Sequence, residues 1–181
     1  MTKHWTEQHE GFRAPSAWVS RWAQLASAGG SVLDVACGSG RHGRVFLDRG
    51  HPVTFLDRNI AGVEDLAGHA ELIEADLETE VGWPLGERRF DVIVVTCYLH
   101  RPILNDIVTA LAPGGLLIYE TFARGNEAYG HPARPAYLLE AGALLELARG
   151  RLTVLGYEHG YDEEPKPGVR QRIAARNDLQ T

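Results

Sequence analysis

Short apolar runs alternate with stretches of helical spacing along most of this chain, and that alternation constrains its fold more than any other feature. Residues 31–36 (SVLDVA), 53–56, 70–75, 90–96 (FDVIVVT) and 116–121 (LLIYET) read as strands. Between them, residues 41–49, 60–67, 102–111 and 138–148 read as helices. Near-continuous apolar strands separated by helices predict a parallel sheet with both faces covered, an α/β, doubly wound, three-layer arrangement. Two late strands, 152–157 and 169–175, are joined by a polar loop containing Gly and Pro. No crossover helix fits between them, so they are expected to pair antiparallel. In such folds ligands sit beyond the carboxyl ends of the strands, here just after Ala36, Leu56, Ala75, Thr96 and Thr121.

Ahead of the first strand, Trp18, Trp22 and Leu25 recur at helical spacing. Pro15 suits a first turn and Gly29 a stop. Its 181 residues fit one domain, with 1–30 as an N-terminal helical cover and 31–181 as the core. With 44% hydrophobic and 23% charged residues the chain reads as soluble and globular. A formal charge of -6 argues against a dedicated nucleic-acid binder or a polybasic membrane anchor. Two cysteines, Cys37 and Cys97, with no C-x-x-C pair exclude a disulfide scaffold, and no His pair has metal-ligand spacing, so no metal is expected. No apolar run is long enough to span a bilayer and the N-terminus has no signal-peptide h-region, so a cytoplasmic protein is expected.

The strand ends carry the chemistry. After the first come Cys37-Gly38-Ser39-Gly40-Arg41-His42-Gly43, a literal G-x-G-x-x-G that lets a ligand approach the peptide planes. Nicotinamide, flavin and methyl-donor enzymes share this pattern. The second strand ends in Asp57, whose carboxylate suits vicinal ribose hydroxyls. The third ends in Asp76-Leu77, an acid for an adenine amino group and a side chain to cover the ring. For both acids the alternative is helix N-capping. Asp34, inside the first strand, divides the cofactor classes. A pyrophosphate gains nothing from an added carboxylate beside the loop, whereas S-adenosylmethionine has no phosphates and carries an ammonium and a sulfonium.

Taken together, VLDVACGSGRHG, FLDRN, EADLE, FDVIVVTCYLH and LAPGGLLIYETF resemble the ordered motifs of class I S-adenosylmethionine-dependent methyltransferases. The helix beginning at Pro15-Ser16 and the segments 130–132 and 140–142 are similar to small bacterial tellurite-resistance-type (TehB-like) enzymes. One departure is Ala36, where the family more often has Gly. The resemblance implies a Rossmann-like, mostly parallel seven-stranded sheet with one antiparallel strand. It also implies site roles. Gly38, Ser39 and Gly40 would line the methionine moiety, with Asp34 supporting its ammonium end. Asp57 would hold the ribose, with Arg58 and Asn59 beside it, and Asp76 and Leu77 would bind adenine. Cys37, as a small wall residue, and Cys97 with Tyr98 near the sulfonium would border the cofactor. The expected product is S-adenosylhomocysteine.

The acceptor side is less defined by sequence. His100 is a candidate general base with Tyr98 beside it, or simply begins the next helix. Residues 123–136 form a long aperiodic stretch after the fifth strand, either a lid or a surface loop. Within it Arg124, Tyr129, His131 and Arg134 are candidate acceptor contacts. Trp18 and Trp22 are expected to pack on the sheet, and Trp5 and Phe12 to pack there or form a lid. His4, His9, His51, His69 and His159 read as surface residues. On a strand, Arg170 and Arg172 share one face, but in an acidic chain they do not make a nucleic-acid patch. The expected protein is a monomeric or homodimeric methyltransferase with a small-molecule acceptor. The alternatives are an NAD(P)-dependent oxidoreductase and a non-catalytic module that binds nucleotide or S-adenosylmethionine.

Overall fold

The computed structural model describes residues 14–178; Trp5, Phe12, His4 and His9 lie outside them. Seven strands form one sheet: β1 Val32–Val35, β2 Val53–Asp57, β3 Glu71–Glu74, β4 Phe90–Thr96, β5 Leu111–Phe122, β6 Thr153–Asp162 and β7 Gly168–Arg176. Their order is β3-β2-β1-β4-β5-β7-β6. β1 to β5 run parallel, and β7 is antiparallel to both neighbours. The sheet thus has the mostly parallel, seven-stranded form expected, with the single reversed strand next to the edge. Strand order reverses between β1 and β4, which is where the ligand crevice of such sheets opens.

Alternating side chains feed two cores. Val32, Phe55, Val92, Val94, Ile118 and Ala174 face one way. They pack with Trp18 and Val19 of α1 (Ala17–Trp22) and Phe46 of α2 (Gly43–Leu47). Leu33, Val35, Leu56, Ile93, Val95, Tyr119 and Ile173 face the other way, against Ile107 of α3 (Leu104–Thr109) and Leu144 of α4 (Ala143–Ala148). Strand residues with period two explain both layers. Ser16 caps α1, accepting the Trp18 N–H at 3.1 Å. The Trp18 indole N–H donates to the Ile173 carbonyl at 3.2 Å, which fastens the helix to β7. Trp22 packs where a Cβ on Gly156 would fall 2.4 Å from its ring. Packing is therefore the role the structure gives both tryptophans.

Several elements differ from expectation. Residues 60–67 form 3-10 turns, Ile60–Leu66, because Gly62 sits on the glycine loop: a Cβ there would come within 2.6 Å of the Gly38 carbonyl. The helices expected at 41–49 and 138–148 shrink to α2 and α4. Leu138 and Leu139 are core residues instead, Leu139 bridges to Ala123, and Gly142 at φ 75 stands at the entry of α4. β6 extends to Asp162, making a long hairpin with β7. His51 is buried, not on the surface, with Nδ1 2.9 Å from the Gly30 carbonyl.

Candidate active site

Two carboxylates from adjacent strands hold the glycine loop. Asp34 Oδ2 accepts the Gly43 N–H at 2.8 Å, across the loop. Asp57 Oδ2 accepts the Gly38 N–H at 2.9 Å, and its Oδ1 accepts the Asn59 N–H at 3.0 Å. Each Asp57 oxygen retains a lone pair for a ligand hydroxyl, since a carboxylate offers about four acceptor sites. Asn59 in turn caps the 3-10 segment by accepting the Ala61 N–H at 3.0 Å. Arg44 clamps the same corner, with a bidentate pair to Asp65 at 2.6 and 2.8 Å and a bond to the Ser39 carbonyl at 3.2 Å. Gly38 has φ 55 and open space where a Cβ would stand, so its peptide face is approachable. Ser39 and Arg58 are exposed on the same corner and Cys37 is buried beneath it.

Burial dominates the electrostatics. Asp34 is fully enclosed. That pushes its carboxyl up to about 7, assisted by the nearby Asp57 charge and opposed by the Gly43 N–H and by Arg41. A carboxylate held this way is primed for a cationic group, whose arrival favours ionisation. Burial likewise raises the Cys37 thiol, so it is not a nucleophile at neutral pH. His42 is driven down to about 3 by burial and by Arg41, so its imidazole is neutral. Its Nδ1 lies 2.9 Å from Thr96 Oγ1 at the end of β4. Among the described residues two carry left-handed backbone without being glycine, Ala36 at φ 52 and Cys97 at φ 51. Both end central strands, and such strain concentrates at functional sites.

Cys97 stands between two clefts. On one side, Cys97, Tyr98, Glu78, Thr121, Phe122, Pro132 and Tyr137 enclose about 230 Å³. Tyr98 is half-buried beside the acids Glu78, Asp76 and Asp57, and burial together with their charges raises its phenol. Tyr98 is fixed through its carbonyl, which accepts the Tyr119 hydroxyl at 2.8 Å. Asp76 is exposed and accepts the Glu78 N–H at 2.9 Å, whereas the Leu77 side chain points into the core at 4% exposure. On the other side a cleft of about 500 Å³ opens between α1 and the start of β7. Its charged floor is made by Arg41, Glu120, Arg170 and Arg172.

The acceptor-side candidates are dispersed. His100 precedes a 3-10 turn, Arg101–Ile103, with no side-chain capping bond, and lines neither cleft. The 123–136 stretch is an Ω-shaped loop whose ends are joined, Arg124 N–H to the Leu139 carbonyl at 2.9 Å and Leu139 N–H to the Phe122 carbonyl at 3.0 Å. Buried Asn126 is its internal post, accepting the Val169 N–H at 3.1 Å and donating to the Pro132 carbonyl at 2.8 Å. Arg124 pairs with Glu127 and Glu140, and Tyr129 stacks on Tyr161 at 4.8 Å. His131 and Arg134 are exposed and, like them, line neither cleft. The loop reaches the site through Pro132 instead. Sequence reading also passed over Arg41 and Glu120, and it did not place Arg170 and Arg172 at the floor of a cleft. Their signal was the shared face of the two β7 arginines and the position of Arg41 directly after Gly40.

Fold and loop define an α/β protein of the class that holds a cofactor at a glycine loop beyond the first strand. Residues 7–152 match the family model described as methyltransferase domain. The ubiquinone biosynthesis O-methyltransferase of Psychrobacter arcticus is 30% identical over 144 residues, 70% of this chain and 54% of that protein. The chain spans about half the length of the curated relatives it matches. The fold is similar to that of TehB from Haemophilus influenzae (TM-score 0.70, 19% identity, 90% of this chain and 62% of that one). It is also similar to a Burkholderia thailandensis 1,6-didemethyltoxoflavin-N1-methyltransferase with bound 1,6-didemethyltoxoflavin and S-adenosylhomocysteine (TM-score 0.68, 21% identity, 95% and 83%). The chain belongs to the methyltransferase domain family, whose methyl donor is S-adenosylmethionine.

Proposed function

We propose that this chain methylates a small-molecule acceptor with S-adenosylmethionine, leaving S-adenosylhomocysteine. The observation that carries the reading is the glycine loop pinned between Asp34 and Asp57. Asp34 adds a carboxylate beside the loop from which a pyrophosphate gains nothing and which attracts an ammonium and a sulfonium, while Asp57 suits a ribose. When bound, the donor supplies a methyl group on a cationic sulfur that departs as a neutral thioether. This chain's residues supply position and shelter. Gly38, Ser39 and Gly40 border the methionine end, with Cys37 behind them, and Asp34, enclosed beside the loop, supports its ammonium end directly or through water. Asp57 accepts the ribose hydroxyls, with Arg58 and Asn59 alongside. Asp76 borders the adenine with Leu77 behind it, and Cys97 and Tyr98 wall the cofactor near the transfer point.

No catalytic base is assigned, because a direct displacement needs none when the acceptor is a thiolate, neutral amine or soft anion. The family membership and the named activities of relatives support a small acceptor. Among the described residues no helix is long and apolar enough to cross a membrane; a cytoplasmic enzyme of one domain, without nucleic-acid or membrane partners, is the reading we adopt. Thermal-shift titration with S-adenosylmethionine, S-adenosylhomocysteine and NAD tests it: stabilisation by the first two is expected, and stabilisation by NAD alone refutes it. Turnover over thiol, amine and oxyanion acceptors separates an enzyme from a binding module.

A further inference from the structure

We propose that the acceptor is an organic carboxylate, held in the cleft between α1 and the start of β7 with Arg170 as its cationic anchor and Arg41, which also donates to the Ala14 carbonyl at 3.4 Å, adding positive charge beside it. This rests on the methyltransferase reading above. The charges of the cleft are sorted by depth. Arg170 is 2% exposed, Arg172 and Glu120 have side chains 12% and 10% exposed, and Arg41 is half-buried. Arg21, Glu158 and Glu164 lie at the exposed rim. Both acids near the floor are already engaged by Arg172, which pairs with Glu120 and with Asp162 at 2.6 Å. Glu158 at the rim adds a third contact to Arg172 at 3.6 Å.

Arg170 is left under-satisfied. Its Nη2 donates to the Lys166 carbonyl at 3.0 Å, and the guanidinium lies over the Phe122 ring at 4.8 Å. Its Nη1 is buried, stands 3.5 Å from Asp162 Oδ2 and makes no hydrogen bond. A buried guanidinium N–H without an acceptor is costly, and a carboxylate supplying that acceptor recovers the cost. Asp162 closes β6 beside the exposed turn 163–165, so it is the group that yields as a ligand carboxylate reaches Nη1. The volume of about 500 Å³ is in the range of small-organic-molecule pockets, far larger than an inorganic anion needs, and Trp18, Pro15 and Pro165 give it an apolar wall. Cys97 lines the same cleft, so an acceptor seated there abuts the transfer point.

The test is calorimetric titration of the full chain loaded with S-adenosylhomocysteine, using phenylacetate and phenylacetamide as matched probes and inorganic phosphate as a third. Phenylacetate is expected to bind at least tenfold more tightly than the amide and than phosphate. In Arg170→Gln that preference is expected to fall to within about twofold, and Arg41→Gln, a milder change to the fold, should reduce it in the same direction. Equal binding of acid and amide, no binding of either, phosphate binding as well as the acid, or an intact preference in both variants overturns the proposal. Failure of the wild-type chain to take up S-adenosylhomocysteine refutes the methyltransferase reading itself and is observed before any probe is added.

Discussion

Replacing Asp34 by asparagine should stabilise the protein at neutral pH while weakening its site. Asn is isosteric, and its Oδ1 can accept the Gly43 N–H that Asp34 holds at 2.8 Å. In the folded chain burial lifts the Asp34 carboxyl from its ordinary 3.8 to about 7. Between those values the folded state keeps a proton that the unfolded chain has lost. Unfolding there releases a proton, so stability falls as pH rises. The contribution is fully present below pH 3.8 and gone once pH passes about 7. That interval of about three pH units, at 1.36 kcal/mol each, amounts to about 4 kcal/mol. Urea unfolding of the wild type and Asp34→Asn from pH 4 to 8 isolates this group apart from its coupling to neighbouring Asp57 and Cys37. The stability difference should widen by about 4 kcal/mol in favour of the variant and level off above neutral pH. A difference constant with pH, or one opening below pH 4, would refute the account of Asp34 as a buried, reluctant carboxylate. The variant should also bind S-adenosylhomocysteine more weakly. The wild type, but not the variant, should release a proton on binding at pH 6, read by calorimetry in two buffers of different ionisation enthalpy.

Ala36→Gly should raise stability by about 0.5–1 kcal/mol, seen as a higher melting temperature, because φ 52 strains any residue with a Cβ and the relief exceeds the entropic cost of glycine. Gly62→Ala should weaken S-adenosylhomocysteine binding at least tenfold, measured by calorimetry, since the new methyl would sit 2.6 Å from the Gly38 carbonyl and displace the loop. Asp57→Ala should cost about 1–3 kcal/mol of cofactor affinity and also free the Gly38 N–H; unchanged affinity removes the ribose role. Arg44→Ala, whose partner Asp65 is 63% exposed, should shift the urea midpoint only slightly, because an exposed ion pair contributes little.

Local signals made most of the fold readable, together with the residues of the proposed donor half of the site. The central strands β1, β2, β4 and β5 announce themselves as apolar runs, β3 and β6 far less so, and Asp34, Gly38 and Asp57 sit within one strand–loop–helix–strand unit whose geometry is stereotyped. What escaped depends on contacts between distant positions. Glu120 meets Arg172 only because β5 and β7 pair in one register, and nothing local near either residue states that register. Residues 60–67 have helical periodicity, yet Gly62 must approach Gly38, and tertiary crowding overrides the pattern. His51 looked like a surface residue because its partner, the Gly30 carbonyl, belongs to another element. In the 123–136 loop the charged and aromatic residues drew attention, while Asn126, its buried post, carries no distinctive pattern.

The reversed strand has a consequence for how such a protein can change. Because β7 runs against its neighbours, its first residues, not its last, reach the ligand edge, and a single hairpin delivers Arg170, Arg172 and Asp162 there together. The proposed donor contacts come from the loops after β1 and β2, across the switch point. Residues 158–172 therefore form an exchangeable cassette: swapping that segment between relatives should retune what is methylated without rebuilding the machinery that holds the donor.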